Sequence, residues 1–400
     1  MMDMTAVDAV DTVDTVNKDN RKESCIGCCD GNQEVKAFSW ESLTQGITLQ
    51  GAAFYAVAVV NLSKQEAGCE IGTKCNNRIY GIQAESILTF TAAVSGFIAA
   101  ILMPLCGAVV DHTKYRRGVA LWTAVGLIIS AALKSVLSEK TLLFCLMIMA
   151  LTPLVLQTHL VAVTAYMHEF TKEEKRLAKY MGLFVALRSV ASLFMMLIVL
   201  GLARFVLTKP EGSISHSVNI AKLAQVIDVI ISSILFIPTY LYRGFLPRPA
   251  QSKSEKSLVR SAVSSLYKTS KNIIIRDNPA LKWFLVSSFL IGMAQSAASV
   301  IALSYVINFL HMTSTQVSIV VFVYSTCKII GAIAFRVLCK RWCILRSLKI
   351  VIFIYSISLI ICSLVIKGPQ HIYLMYIFVM IWSTLFGWVL PSMRTIYLKM

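Results

Sequence analysis

The sequence predicts an all-α bundle of about ten membrane-spanning helices. Three observations predict it. Of the residues, 56% are hydrophobic and only 15% charged, with a mean hydropathy of +0.69, whereas soluble domains average about 25% charged. Apolar runs recur along the chain at lengths near the roughly 20 residues that cross a bilayer. Lysine and arginine crowd every second joint between those runs. An outer-membrane barrel is excluded, because the runs are long and continuous rather than ten-residue alternations.

Taken in order, the spans are Thr44–Leu62, Ser86–Val110, Gly118–Leu137, Thr141–Met167, Met181–Leu207, Ala221–Tyr242, Lys282–Leu310, Val317–Leu338, Ile350–Ile366 and Ile372–Leu390. Residues 1–40 contain no apolar stretch of the signal-peptide kind. They carry eight acids against four bases, open on the repetitive "TAVDAVDTVDTV", and predict a disordered acidic tail. The rest of the chain therefore holds +21 of formal charge.

That charge gives an orientation. With the N-terminus cytosolic, the joints after spans two, four, six and eight hold twenty lysines and arginines, and the opposite joints hold six. The positive-inside rule then puts the rich joints in the cytosol. The high pI reflects topology and anionic lipid, not nucleic acid. The longest cytosolic stretch, 244–281, is rich in Ser, Lys and Pro and reads as a basic linker with a surface-lying amphipathic helix. It divides a six-helix half, 41–243, from a four-helix part, 282–400.

The joint after span two reads "CGAVVDHTKYRRG". Gly107 permits close helix packing. Asp111 is placed to cap a helix and to pair with Arg116 and Arg117. Such a cluster can latch two helix bundles at their cytosolic ends. The Gly107–Asp111 frame followed by a basic pair resembles the span-two joint of the major facilitator superfamily. The joint after span eight repeats it in degenerate form, with Gly331 and Arg336 kept and Phe335 where the aspartate would stand.

Two further stretches, "TAYMHEFTKEEKRLAKYMG" after span four and "FGWVLPSMRTIYLKM" at the C-terminus, are similar to the autophagy-related vacuolar amino-acid effluxers. The resemblance covers about residues 40–400. It implies a major-facilitator-like bundle that lacks the last two of twelve spans, through a shortened gene model or a reduced transporter. It also implies amino-acid efflux from a vacuole.

Polar groups inside spans are costly and point to function. Gln50, Tyr55, Gln157, His159, Arg188, Asp228, Gln295 and Lys328 are the candidates for a transport pathway. Each has a structural alternative: Arg188 and Asp228 can reach the headgroups, and His159, Gln50 and Gln295 can bond neighbouring helices. Lys328, nearest the midplane, is the hardest to explain by snorkelling. A zwitterionic amino acid needs a cation, Arg188 or Lys328, for its carboxylate and an acceptor, Asp228, Gln50 or Gln295, for its amine.

Of eleven cysteines, Cys69 and Cys75 share one non-cytosolic loop and are placed for a disulfide. Cys25, Cys28 and Cys29 lack a fourth ligand for zinc and suit palmitoylation, with an unmodified cluster as the simplest case. The sequon Asn61-Leu62-Ser63 abuts the membrane, so no glycan is expected. The chain contains no phosphate loop, zinc-protease or nucleophile-elbow motif, and neither an enzyme nor a cofactor is expected. Two functions remain. One is a gradient-driven transporter of a small polar solute, coupled to a proton or another ion, in the vacuolar or plasma membrane. The other is a transporter-derived receptor or scaffold that no longer transports.

Overall fold

The computed structural model describes residues 33–69, 75–167, 174–206, 213–241, 279–310, 314–338 and 343–399, with Phe245, Tyr267, Lys271 and Met312 singly. The side chains of 295–300 are not among those described. Ten long helices carry the chain: α1 (Gln33–Glu66), α2 (Ile87–His112), α3 (Arg116–Lys134), α4 (Leu142–Thr164), α5 (Glu174–Val206), α6 (Ile214–Phe236), α7 (Pro279–Asn308), α8 (Ser314–Leu338), α9 (Ile344–Val365) and α10 (Ile372–Lys399). Among the described residues, nine helices are long and apolar enough to cross a membrane, and α7 contributes a shorter apolar stretch, Lys282–Ala294.

The helices outrun the apolar stretches that announce them. α1 begins at Gln33 rather than Thr44, so the expectation of disorder over 1–40 fails for 33–40. The reason is amphipathic spacing. Val35, Ala37 and Phe38 are buried against Tyr166, Phe184 and Phe245, while Lys36 and Trp40 lie outward. Residues 1–32, with Cys25, Cys28 and Cys29, and the linker over 244–281 apart from Phe245, Tyr267, Lys271 and the start of α7, lie outside the described residues.

α6 begins at Ile214, seven residues earlier than its apolar run, with Ser213 as its N-cap accepting from the His216 amide at 3.1 Å. Asp228 therefore sits about 21 Å along α6 at 1.5 Å per residue, near mid-membrane rather than near an edge. α6 ends in a single π-helical turn, Ile237–Leu241. Such a turn inserts one residue into the helix and is often found at functional sites.

α1 packs along α5 and α6, and α3 lies against α4 and α6. α8 packs on α10, and α9 joins α10 from the other side. The first six helices meet the last four where α5 lies against α8 and α10, and where α2 touches α7. One apolar cluster spans this junction: Ala56, Val60 and Leu88 on one side, Val306, Leu310, Met375 and Phe378 on the other.

The loop after α1 is cross-braced. Cys69 and Cys75 form a disulfide with a Cα–Cα distance of 5.8 Å. A two-residue hairpin pairs β1 (Arg78–Ile79) with β2 (Ile82–Gln83). Lys64, only 2% exposed, lies 3.2 Å from Glu85, whose carboxylate also accepts from the Cys75 amide at 3.0 Å. Asn61 is helical and donates to the Ser217 hydroxyl at 3.3 Å.

Candidate functional site

Two polar constellations lie inside the bundle. The first is held by α1, α3, α4 and α6. Glu41 and Gln45 share a face of α1 one turn apart. Across from them, His159 on α4 brings Nε2 to 2.7 Å from Glu41 Oε1, with the two side chains 1% and 3% exposed. The Tyr240 hydroxyl, in the π turn, donates to Glu41 Oε2 at 3.1 Å, and Gln45 donates to Oε1 at 3.3 Å.

The other nitrogen fixes the proton count. His159 Nδ1 faces the Ala120 carbonyl at 3.1 Å and the Thr123 hydroxyl at 2.9 Å. Thr123 already donates to the Val119 carbonyl at 2.6 Å, so its oxygen accepts from the ring. Nδ1 therefore carries hydrogen. The 2.7 Å contact between Nε2 and Oε1 then needs one further proton, shared between an imidazole and a carboxyl group.

One to two turns further along α1, Thr48 donates to Asp228 Oδ1 at 3.2 Å, and Ser232 donates to the same oxygen at 2.7 Å. Lys134 of α3, 4% exposed, interacts electrostatically with Asp228 and places its ammonium 5.6 Å from the Tyr55 ring centre. Between the Glu41 and Asp228 groups lies a cavity of about 20 Å3, bounded by Gln45, Thr48, His159, Ser232 and Tyr240 among others. That is space for about one water.

The second constellation lies where the first six helices meet the last four. Arg188 on α5, Lys328 on α8 and Arg394 on α10 interact electrostatically with one another. Among the described residues, neither the Lys64–Glu85 nor the Glu41–His159 pair includes any of them. Arg188 Nε is buried with no hydrogen-bond partner. The Lys328 ammonium lies 5.3 Å from the Tyr324 ring centre. Beside the cations runs a polar bridge: Ser192, one turn from Arg188, donates to Gln50 at 2.8 Å and lies 3.4 Å from the Ser325 hydroxyl. Like charges repel one another strongly in the low-dielectric interior of a bundle. Three gathered cations therefore favour an anion among them.

The glycines of α8 and α10 set this geometry. A Cβ on Gly331 would strike the Thr384 carbonyl, and one on Gly387 would strike the Lys328 carbonyl. The two backbones touch directly.

The structure thus gathers Arg188, Lys328 and Gln50 at one site. It places Asp228 and His159 in the other cavity, so Asp228 is not available to pair with a solute amine beside Lys328. Tyr55 is buried, and Gln157 is exposed on α4. The Gln295 side chain lies outside the described residues.

The joint after α2 differs from expectation. The N-cap of α3 is Tyr115, with no side-chain bond, because α2 runs on through Asp111 to His112 and leaves Asp111 exposed. The arginines turn inward instead. Arg116, 2% exposed, lies 5.5 Å from the Tyr166 ring centre, and Arg117 donates to the Tyr240 carbonyl at 2.8 Å. A Cβ on Gly107 would meet nothing within 4 Å, so this glycine serves no close packing here.

Glu41, Lys134, Tyr240 and Arg394 were not singled out by the sequence. Glu41 and Arg394 lie beyond the apolar runs, inside helices longer than those runs. The signal for Glu41 was the stripe of Glu41, Gln45 and Thr48 on one helix face.

A family model described as Major Facilitator Superfamily matches residues 46–400. The chain belongs to the major facilitator superfamily. It is a secondary membrane transporter, and the superfamily moves small solutes across membranes. Among the solved structures that match this facilitator is the human organic anion transporter MFSD10 (TETRAN). It is 12% identical with a TM-score of 0.58, covering 92% of this chain and 85% of its own. At that identity the likeness concerns the fold. No curated protein matches the facilitator's sequence.

Proposed function

We propose that this facilitator carries a small carboxylate-bearing solute, amino acids in the first instance, by alternating access between its first six helices and its last four. The carrying observation is the Arg188–Lys328–Arg394 cluster at their junction, unpaired by salt bridges among the described residues. A solute carboxylate neutralises part of that charge. Gln50, Ser192 and Ser325 offer hydrogen bonds beside it. That MFSD10, which shares the fold, is an organic anion transporter agrees with the charge class. Vacuolar placement and efflux rest on the two sequence stretches that resemble the autophagy-related effluxers. The positive joints, on this reading, face the cytosol.

Uptake of labelled amino acids into proteoliposomes tests the reading. Accumulation that is lost in Lys328→Met and kept in part in Lys328→Arg supports it. Equal uptake by parent and Lys328→Met removes the solute from the cation cluster, and no uptake of any carboxylate-bearing solute by the folded parent favours a receptor or scaffold.

A further inference from the structure

We propose that the Glu41–His159 pair is a proton-binding site of the transport cycle, and that it exchanges its proton with Asp228 through the small cavity between them. The proposal rests on the transport reading above for its role in a cycle, but not for the binding itself.

The geometry supplies three things. The first is a labile proton. The Nε2–Oε1 contact of 2.7 Å requires one, because Nδ1 is already committed as a donor to Ala120 and Thr123. The second is provision for the proton's departure. Once it leaves, Glu41 is a carboxylate that keeps the Tyr240 hydroxyl on Oε2 and the Gln45 amide on Oε1. The third is a receiver. Asp228 lines the same cavity, where about one water has room.

The step balances simply. The proton leaves the Nε2–Oε1 contact for the cavity water, that water releases a proton to Asp228, and no bond between heavy atoms changes. The charge shift stays within the groups that face the pair. Around the pair these are Gln45 on α1, Thr123 on α3 and Tyr240 in the π turn of α6, and at the other end of the cavity Lys134 on α3 faces Asp228 on α6. Tyr166, which interacts electrostatically with Tyr240, lies behind it, and Arg117 holds the Tyr240 carbonyl. Lys134 balances Asp228 while the carboxylate is ionised, and a proton on Asp228 leaves Lys134 unpaired. Occupancy at one end of the cavity is thereby felt in α3 and α6.

Infrared difference spectroscopy of the full chain in lipid vesicles reads carboxyl protonation directly and without any solute. Spectra are taken across a pH titration, with sodium chloride and then with choline chloride. The expected result is a titrating carboxyl band that Glu41→Gln removes in part and Asp228→Asn alters, unchanged by the cation exchange. A parent with no titrating carboxyl band overturns the proposal. So does an identical band in both folded variants, or a band that moves with sodium, which would make the carboxylates a sodium site. If either variant fails to fold, dicyclohexylcarbodiimide labelling of the parent decides: modification of Glu41 or Asp228 that falls as pH rises supports the site, and modification of neither overturns it. A folded parent that shows the band but takes up no carboxylate-bearing solute would overturn the solute reading alone.

Discussion

Arg117 donates a 2.8 Å hydrogen bond to the carbonyl of Tyr240, the residue whose hydroxyl holds Glu41. A cation of the α2–α3 joint is thus one residue removed from the buried ion pair. The link falls at the end of the helix, where the last carbonyls lack intrahelical partners and that of Tyr240 is left to a side chain. A hydrogen bond to a charged group contributes about 1.5–3 kcal/mol, and about 1.4 kcal/mol is tenfold in an equilibrium. Arg117→Met should therefore slow solute exchange about tenfold at equal expression. Asp111→Ala, at an exposed position, should change it far less. Exchange rates in vesicles, normalised to reconstituted protein, decide between the two.

The cation cluster makes a second prediction. Arg394→Leu removes one of three like charges from the junction. Uptake should weaken mainly through a higher KM, because the bound carboxylate loses an attractive partner. Thermal stability should hold or rise, since repulsion with Arg188 and Lys328 is relieved. A variant that is both destabilised and unchanged in KM would show that Arg394 is structural.

The buried Lys64 pairs with the partly exposed Glu85 and fastens α1 to the segment leading into α2. Removing one partner of such a pair costs about 3–5 kcal/mol, while removing both together costs much less. Lys64→Met should lower the melting temperature strongly. Lys64→Met with Glu85→Gln should restore most of it, because the glutamine oxygen still accepts from the Cys75 amide. Melting of the purified protein by intrinsic fluorescence checks both.

Topology is open to labelling. Single cysteines at Lys114 and at Lys140, in a background lacking the free cysteines, should react with impermeant maleimide from opposite sides of the membrane. The Lys114 side should be cytosolic. Reaction of Lys114 from outside intact cells would reverse the orientation.

Much of the architecture was legible. Apolar runs and alternating charge located all ten helices, because the bilayer imposes both signals on the chain directly. Helix ends were not legible where polar residues are buried. Glu41 and Arg394 look like flanking charges in a hydropathy window, yet each lies within a helix that continues past the apolar stretch. Lys328 and Arg188 stood out because a cation amid an apolar run has few structural excuses. Their nearness to each other, and the separation of Asp228 from both, depend on which faces the helices turn to one another. Helix spacing alone does not contain that. The proton between His159 and Glu41 was equally hidden, since it follows from what Nδ1 meets on a different helix.

Gly331 and Gly387 bring the backbones of α8 and α10 into direct contact, and Arg394 lies two turns from Gly387 on the same face. With no side chain between them, neither helix has room to slide or roll on the other. On the alternating-access reading proposed above, the spacing of Lys328 from Arg394 then behaves as a fixed ruler while the distance from either to Arg188 on α5 changes with rocking. On the transport reading proposed above, a solute carboxylate meets one rigid pair of charges, and the third grips or releases it.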